Sequence, residues 1–80
     1  MDIDNLIKQA NQIGDFFGAW PDPQQGQDEI ANHLERFWDP RMRRQIADYV
    51  QDAGGVGLTQ IVIEAIKQLE PGARSPLSAM

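Results

Sequence analysis

Apolar residues recur every three or four positions through four separate stretches of this chain. Nowhere do they alternate with polar residues as a half-buried strand requires. Ile3, Leu6, Ile7, Ala10, Ile13, Phe16 and Phe17 form one continuous stripe, which predicts a helix from about Asp2 to Phe17. Asp2 is placed to cap its first amides, and Gly18, Pro21 and Pro23 stop it. "PDPQQGQ", residues 21–27, reads as a loop without core residues. A second helix is expected from Gln25 or Gln27 to Phe37, burying Ile30, Leu34 and Phe37, with Trp38 at the edge of that face and Ala31 beside it. Asp28 and Glu29 then fall in its first turns and Arg36 near its end, both favourable to the helix dipole.

Asp39-Pro40 breaks the chain and restarts it. Proline disfavours helical geometry in the residue before it but is at ease at the first helical position. Asp39 is therefore an N-cap for the amides of Arg41 or Met42, and it stands four residues before Arg43, the favourable order for a helical ion pair. This third helix reaches Asp52 or Ala53 and buries Met42, Ile46, Tyr49 and Val50, with Gly54-Gly55 as its left-handed stop. A fourth, about Leu58 to Leu69, carries Leu58, Ile61, Val62, Ala65, Ile66 and Leu69 on one face. Ile63 lies off that face, which hints at a contact beyond the monomer core. The expectation is an all-α fold, a compact bundle of four short helices over residues 1–70, followed by a flexible tail at 71–80.

At 80 residues the chain is one small domain, with an expected stability of only ~3–5 kcal/mol. It has no cysteine, which removes disulfides, thiolate metal sites and a cysteine nucleophile. With one histidine, a transition-metal site is disfavoured. The formal charge of −5 disfavours general binding to phosphate backbones or anionic lipid. The acidic start, "MDIDNLIKQA", does not resemble a secretory signal, and no apolar run reaches the ~20 residues of a membrane span, so the cytoplasm is the expected compartment.

No catalytic constellation emerges. Ser75 and Ser78 lie in the expected tail, out of reach of His33. Asp28 and Glu29 point to different helix faces. Glu29 and His33, four apart, read as a surface pair. "GGVG" follows a helix, so a helix stop explains it rather than a phosphate loop.

What stands out is "HLERFWDPRMRR", residues 33–44. It holds the only histidine, Trp38, and Arg36, Arg41, Arg43 and Arg44 against Glu35 and Asp39, a local excess of positive charge in an acidic chain. Two readings fit. In one, Phe37 and Met42 are core and the arginines are a solvated face. In the other, this corner docks on a partner protein, because Trp and Arg together are the composition of interface hot spots and Arg stacks on indole. A helical nucleic-acid-binding regulator is the alternative class: two helices joined by a tight turn faintly suggest a helix-turn-helix. Four arginines would give only modest, salt-sensitive phosphate binding.

Three segments, "NQIGDFF" (residues 11–17), "IANHLERFWDPRMRRQI" (30–46) and "GLTQIVIEAIKQL" (57–69), resemble the small delta subunit of molybdenum-containing, NAD-dependent formate dehydrogenases. The resemblance covers roughly residues 5 to 70, and the run from His33 to Arg43 is its most specific part. It implies a non-catalytic accessory subunit of a soluble cytoplasmic complex that oxidises formate, with a role in assembly or stabilisation. No cofactor is expected in this chain. Molybdopterin guanine dinucleotide and iron–sulfur clusters would belong to the alpha subunit, and FMN, further clusters and the NAD reaction to the others. The implied contacts with the molybdenum-bearing alpha subunit are His33, Arg36, Trp38, Arg41 and Arg43, with Arg44 beside them, while Asp39 and Pro40 set the shape of the corner. For His33 a plain helix-surface role stays open.

Overall fold

Each of the first three helices begins at an aspartate. The structure, a computed structural model, describes residues 2–69, and the expected tail at 71–80 lies outside them. Helix α1 spans Ile3–Gly18, and the Asp2 carboxylate accepts from Asp4 N at 3.1 Å. Helix α2 spans Pro23–Phe37, with Asp22 accepting from Gln24 N at 3.0 Å. Helix α3 spans Pro40–Ala53 behind the Asp39 cap, and Gly54 closes it at φ 72°. Helix α4 spans Gln60–Leu69.

Two boundaries differ from expectation. The segment expected as a loop at 21–27 is helical from Pro23 onward. Asp22-Pro23 is a cap followed by a proline in the first turn, the same device as Asp39-Pro40, and the missing proline amide costs nothing there. Asp28 and Glu29 therefore sit beyond the first turn. Asp28 instead accepts from Gln24 Nε2 at 3.0 Å and from Gln68 Nε2 at 3.1 Å, which ties α2 to α4. Gly26, expected outside the core, is buried: a Cβ on it would lie 2.6 Å from the Phe17 carbonyl oxygen, so α1 and α2 approach closely there. At the other end, α4 starts two residues later than Leu58, although Leu58 itself is buried.

Helix α2 packs most extensively against α4 and α1, and α3 packs against α1 and α4. Leu6, Ile30, Leu34, Ile46, Val62 and Ile66 are fully buried at the centre. Burying side chains of this size is worth about 1.5–3 kcal/mol each, which supports helices too short to persist alone. Gly14 sets the α1–α4 distance, since a Cβ on it would fall 2.4 Å from Val62 Cγ2. Met42 and Tyr49 are only half-buried, the Tyr49 hydroxyl donating to the Val56 carbonyl. Ile63, expected to point beyond the monomer, is half-buried and packs on this core, its side chain crowding the space above Gly55.

Candidate docking surface

The corner between α2 and α3 is built from local hydrogen bonds. Trp38 leaves the helix with extended backbone (φ −91°, ψ 139°) while its N–H still donates to Leu34 O at 3.0 Å. Asp39 Oδ1 accepts from Arg41 N at 2.8 Å and Met42 N at 3.0 Å. Pro40 opens α3. Arg43 Nη1 reaches back across the bend and donates to Glu35 O at 2.8 Å, satisfying a carbonyl of the last turn of α2. Asp39, Pro40 and Arg43 together fix the angle between the helices.

The expected contact residues divide by location. Trp38, expected on the partner-facing surface, is 6% exposed and part of the core. Phe37, expected in the core, is 68% exposed. The exchange follows from backbone geometry. Neighbours on a helix diverge by roughly 100°, and the switch to extended dihedrals at Trp38 turns its indole under the bundle. Trp38 is thus corrected from surface contact to core residue. Arg43 is half-buried and braces the bend. Arg41 and Arg44 are exposed, and among the described residues neither guanidinium is paired with a carboxylate. Arg36 is exposed, its Cζ 5.9 Å from the centre of the Phe37 ring. His33 is half-buried, its ring 4.7 Å from Phe37 and 6.1 Å from Phe17.

His33 and Phe37 belong to a larger aromatic face shared with α1. Phe16 and Phe17 meet edge-to-face at 4.9 Å, and Phe17 meets Trp20 at 5.4 Å. Phe16 is 68% exposed. An open groove of about 410 Å³ runs between the helices, lined by Ile13, Phe16, Phe17, His33 and the edge of Trp38, with Gln9 and Gln12 alongside. The pattern that reveals this face in the sequence is the adjacent pair Phe16-Phe17: two neighbouring aromatics on one helix cannot both enter one narrow core.

Among the described residues no group of three or more His, Cys, Asp or Glu side chains is placed to hold a metal, and no helix is long and apolar enough to cross a membrane. The described residues form an all-α bundle that exposes the rings of Phe16 and Phe37 and the arginines Arg36, Arg41 and Arg44, residue types enriched in protein–protein interfaces.

Residues 5–66 match the family described as NADH-dependent formate dehydrogenase delta subunit FdsD, and the chain belongs to that family. The match takes in α1, α2, α3 and most of α4, so it covers the bundle rather than one motif. No curated protein and no solved structure matches the chain. Family membership makes it a subunit of a formate dehydrogenase complex, with other subunits of that complex as partners.

Proposed function

We propose that this chain is a non-catalytic subunit that helps assemble and stabilise the formate dehydrogenase complex in the cytoplasm. It docks on the molybdenum-bearing alpha subunit through the outer side of the α2–α3 corner. Formate oxidation, and the molybdopterin guanine dinucleotide, iron–sulfur, FMN and NAD chemistry it needs, belong to the other subunits. The observation that carries this reading is the exposure of Arg36, Arg41 and Arg44 on one corner of an otherwise acidic chain in this family. A guanidinium group offers a planar fork of donors to carboxylates and backbone carbonyls, so unpaired arginines on a rigid bend suit a protein surface.

Co-purification tests it. All subunits are co-expressed with a tag on the alpha subunit, and retention of this chain is measured for wild type and for Arg41→Ala with Arg44→Ala. The double variant is expected to keep its helicity by circular dichroism and to lose most of its retention. Retention equal to wild type would remove the corner as the docking surface. Formate turnover by the isolated chain would remove the non-catalytic role.

A further inference from the structure

We propose that the aromatic groove between α1 and α2 is a second contact surface, and that it receives an apolar segment carrying a carboxylate from another subunit of the complex. The proposal rests on the docking role above and extends it from Arg36 of the arginine corner to the aromatic residues outside it.

The groove has the composition of an interface core. The face that α1 turns to it presents Gln9, Gln12, Ile13 and Phe16, all uncharged. α2 contributes His33, and the Phe37 ring packs against it at a tilt, with ring centres 4.7 Å apart. Phe16 and Phe37 are each 68% exposed, an arrangement that leaves large rings in water unless something covers them. Interface cores are enriched in aromatics and Arg and depleted of Lys, Asp and Glu. A volume of about 410 Å³ is enough to receive one or two apolar anchor side chains of the guest.

Charge selects the guest. Arg36 stands over Phe37, the ring that packs on His33 of the groove, and among the described residues its guanidinium is in no ion pair with a carboxylate. A carboxylate flanking the apolar anchor would pair with Arg36 without displacing the ring contact. A second copy of this chain fits less well: a two-fold contact sets the same surface against itself, and the residues lining the groove include no carboxylate to offer Arg36. Residues 71–80 of the chain itself hold Arg74 and no Asp or Glu, so their side chains lack the carboxylate that Arg36 calls for.

Two measurements on the co-expressed complex decide it. Phe16→Ser and Phe37→Ser remove exposed rings, so each is expected to melt like wild type, while each weakens retention at least ~10-fold, as hot-spot truncations do. Arg36→Glu is expected to weaken retention as well, with a deficit that shrinks as salt rises from ~50 to ~500 mM. Separately, a benzophenone amino acid placed at position 16 should photo-crosslink to another subunit, in a peptide holding an apolar residue next to Asp or Glu. The groove proposal is overturned by crosslinks to a second copy, to residues 70–80 or to nothing in complexes that contain the chain. Wild-type retention in both serine variants overturns it too. If wild type itself co-purifies with no subunit, the docking role and the groove fall together. If wild type is retained and only the groove variants behave like it, the groove alone falls.

Discussion

Trp38 and Phe37 are neighbours with opposite fates, and their exchange assigns different consequences to two aromatic truncations. Trp38→Ala empties a core position, a change that costs about 3–5 kcal/mol, as much as the whole ~3–5 kcal/mol expected of a domain this small. The variant should be largely unfolded by circular dichroism at 25 °C, and a cooperative melt close to wild type would contradict the burial. Phe37→Ala, at a site 68% exposed, should shift stability by no more than ~0.5 kcal/mol. Asp39 carries a smaller but distinct load. Its carboxylate holds two amides, so Asp39→Ala should lose about 1 kcal/mol in urea denaturation, and Asp39→Asn should recover most of that. The cap was legible from Asp39-Pro40 alone because capping is a local interaction. The inward turn of Trp38 was not, because helical periodicity stops describing a side chain once its residue leaves the helix.

At the scale of elements, the same distinction separates what the stripes revealed from what they did not. Four helices follow from four runs of apolar spacing, and the glycine at the end of α3 follows from the left-handed conformation it alone adopts cheaply. The start of α2 was hidden by reading Pro23 as a stop, although an aspartate before a proline opens a helix as readily at 22–23 as at 39–40. The roles of Gly14 and Gly26 were also hidden, since close approach of two helices depends on the partner helix and leaves no trace in local spacing. Gly14 makes the sharper test. Alanine favours helix over glycine by up to ~1 kcal/mol when nothing opposes it. At position 14 the added methyl meets Val62, so Gly14→Ala should instead destabilise by about 1–3 kcal/mol. Adding Val62→Ala should cost less in that background than in wild type, a coupling readable from a double-mutant cycle. Additive losses would show that the two residues do not touch.

The whole molecule is held by a few long-range polar contacts as well as by its core. Asn11 donates to Gly57 O at 2.8 Å and accepts from Thr59 N at 3.1 Å, clasping the α3–α4 connection to α1. Its partners stand 46 and 48 residues away, which is why no sequence pattern announces it. These bonds are solvent-accessible, so Asn11→Ala should lose only about 1 kcal/mol, with faster hydrogen exchange at the Thr59 amide. A loss of that size matters in a chain with no disulfide and little stability in reserve. On the proposed docking role, binding adds to stability by mass action, about 2.7 kcal/mol when the partner is present at 100 times its Kd. Asn11→Ala should therefore be cleaved faster than wild type by a protease when alone and regain near wild-type resistance when co-expressed with the other subunits. Arg41→Ala with Arg44→Ala should behave in the opposite way, resistant as wild type alone but unprotected by co-expression, because it keeps the fold and lacks the corner that grips the partner. Equal protection of both variants would separate the bundle's stability from its docking and leave the arginine corner without a role in assembly.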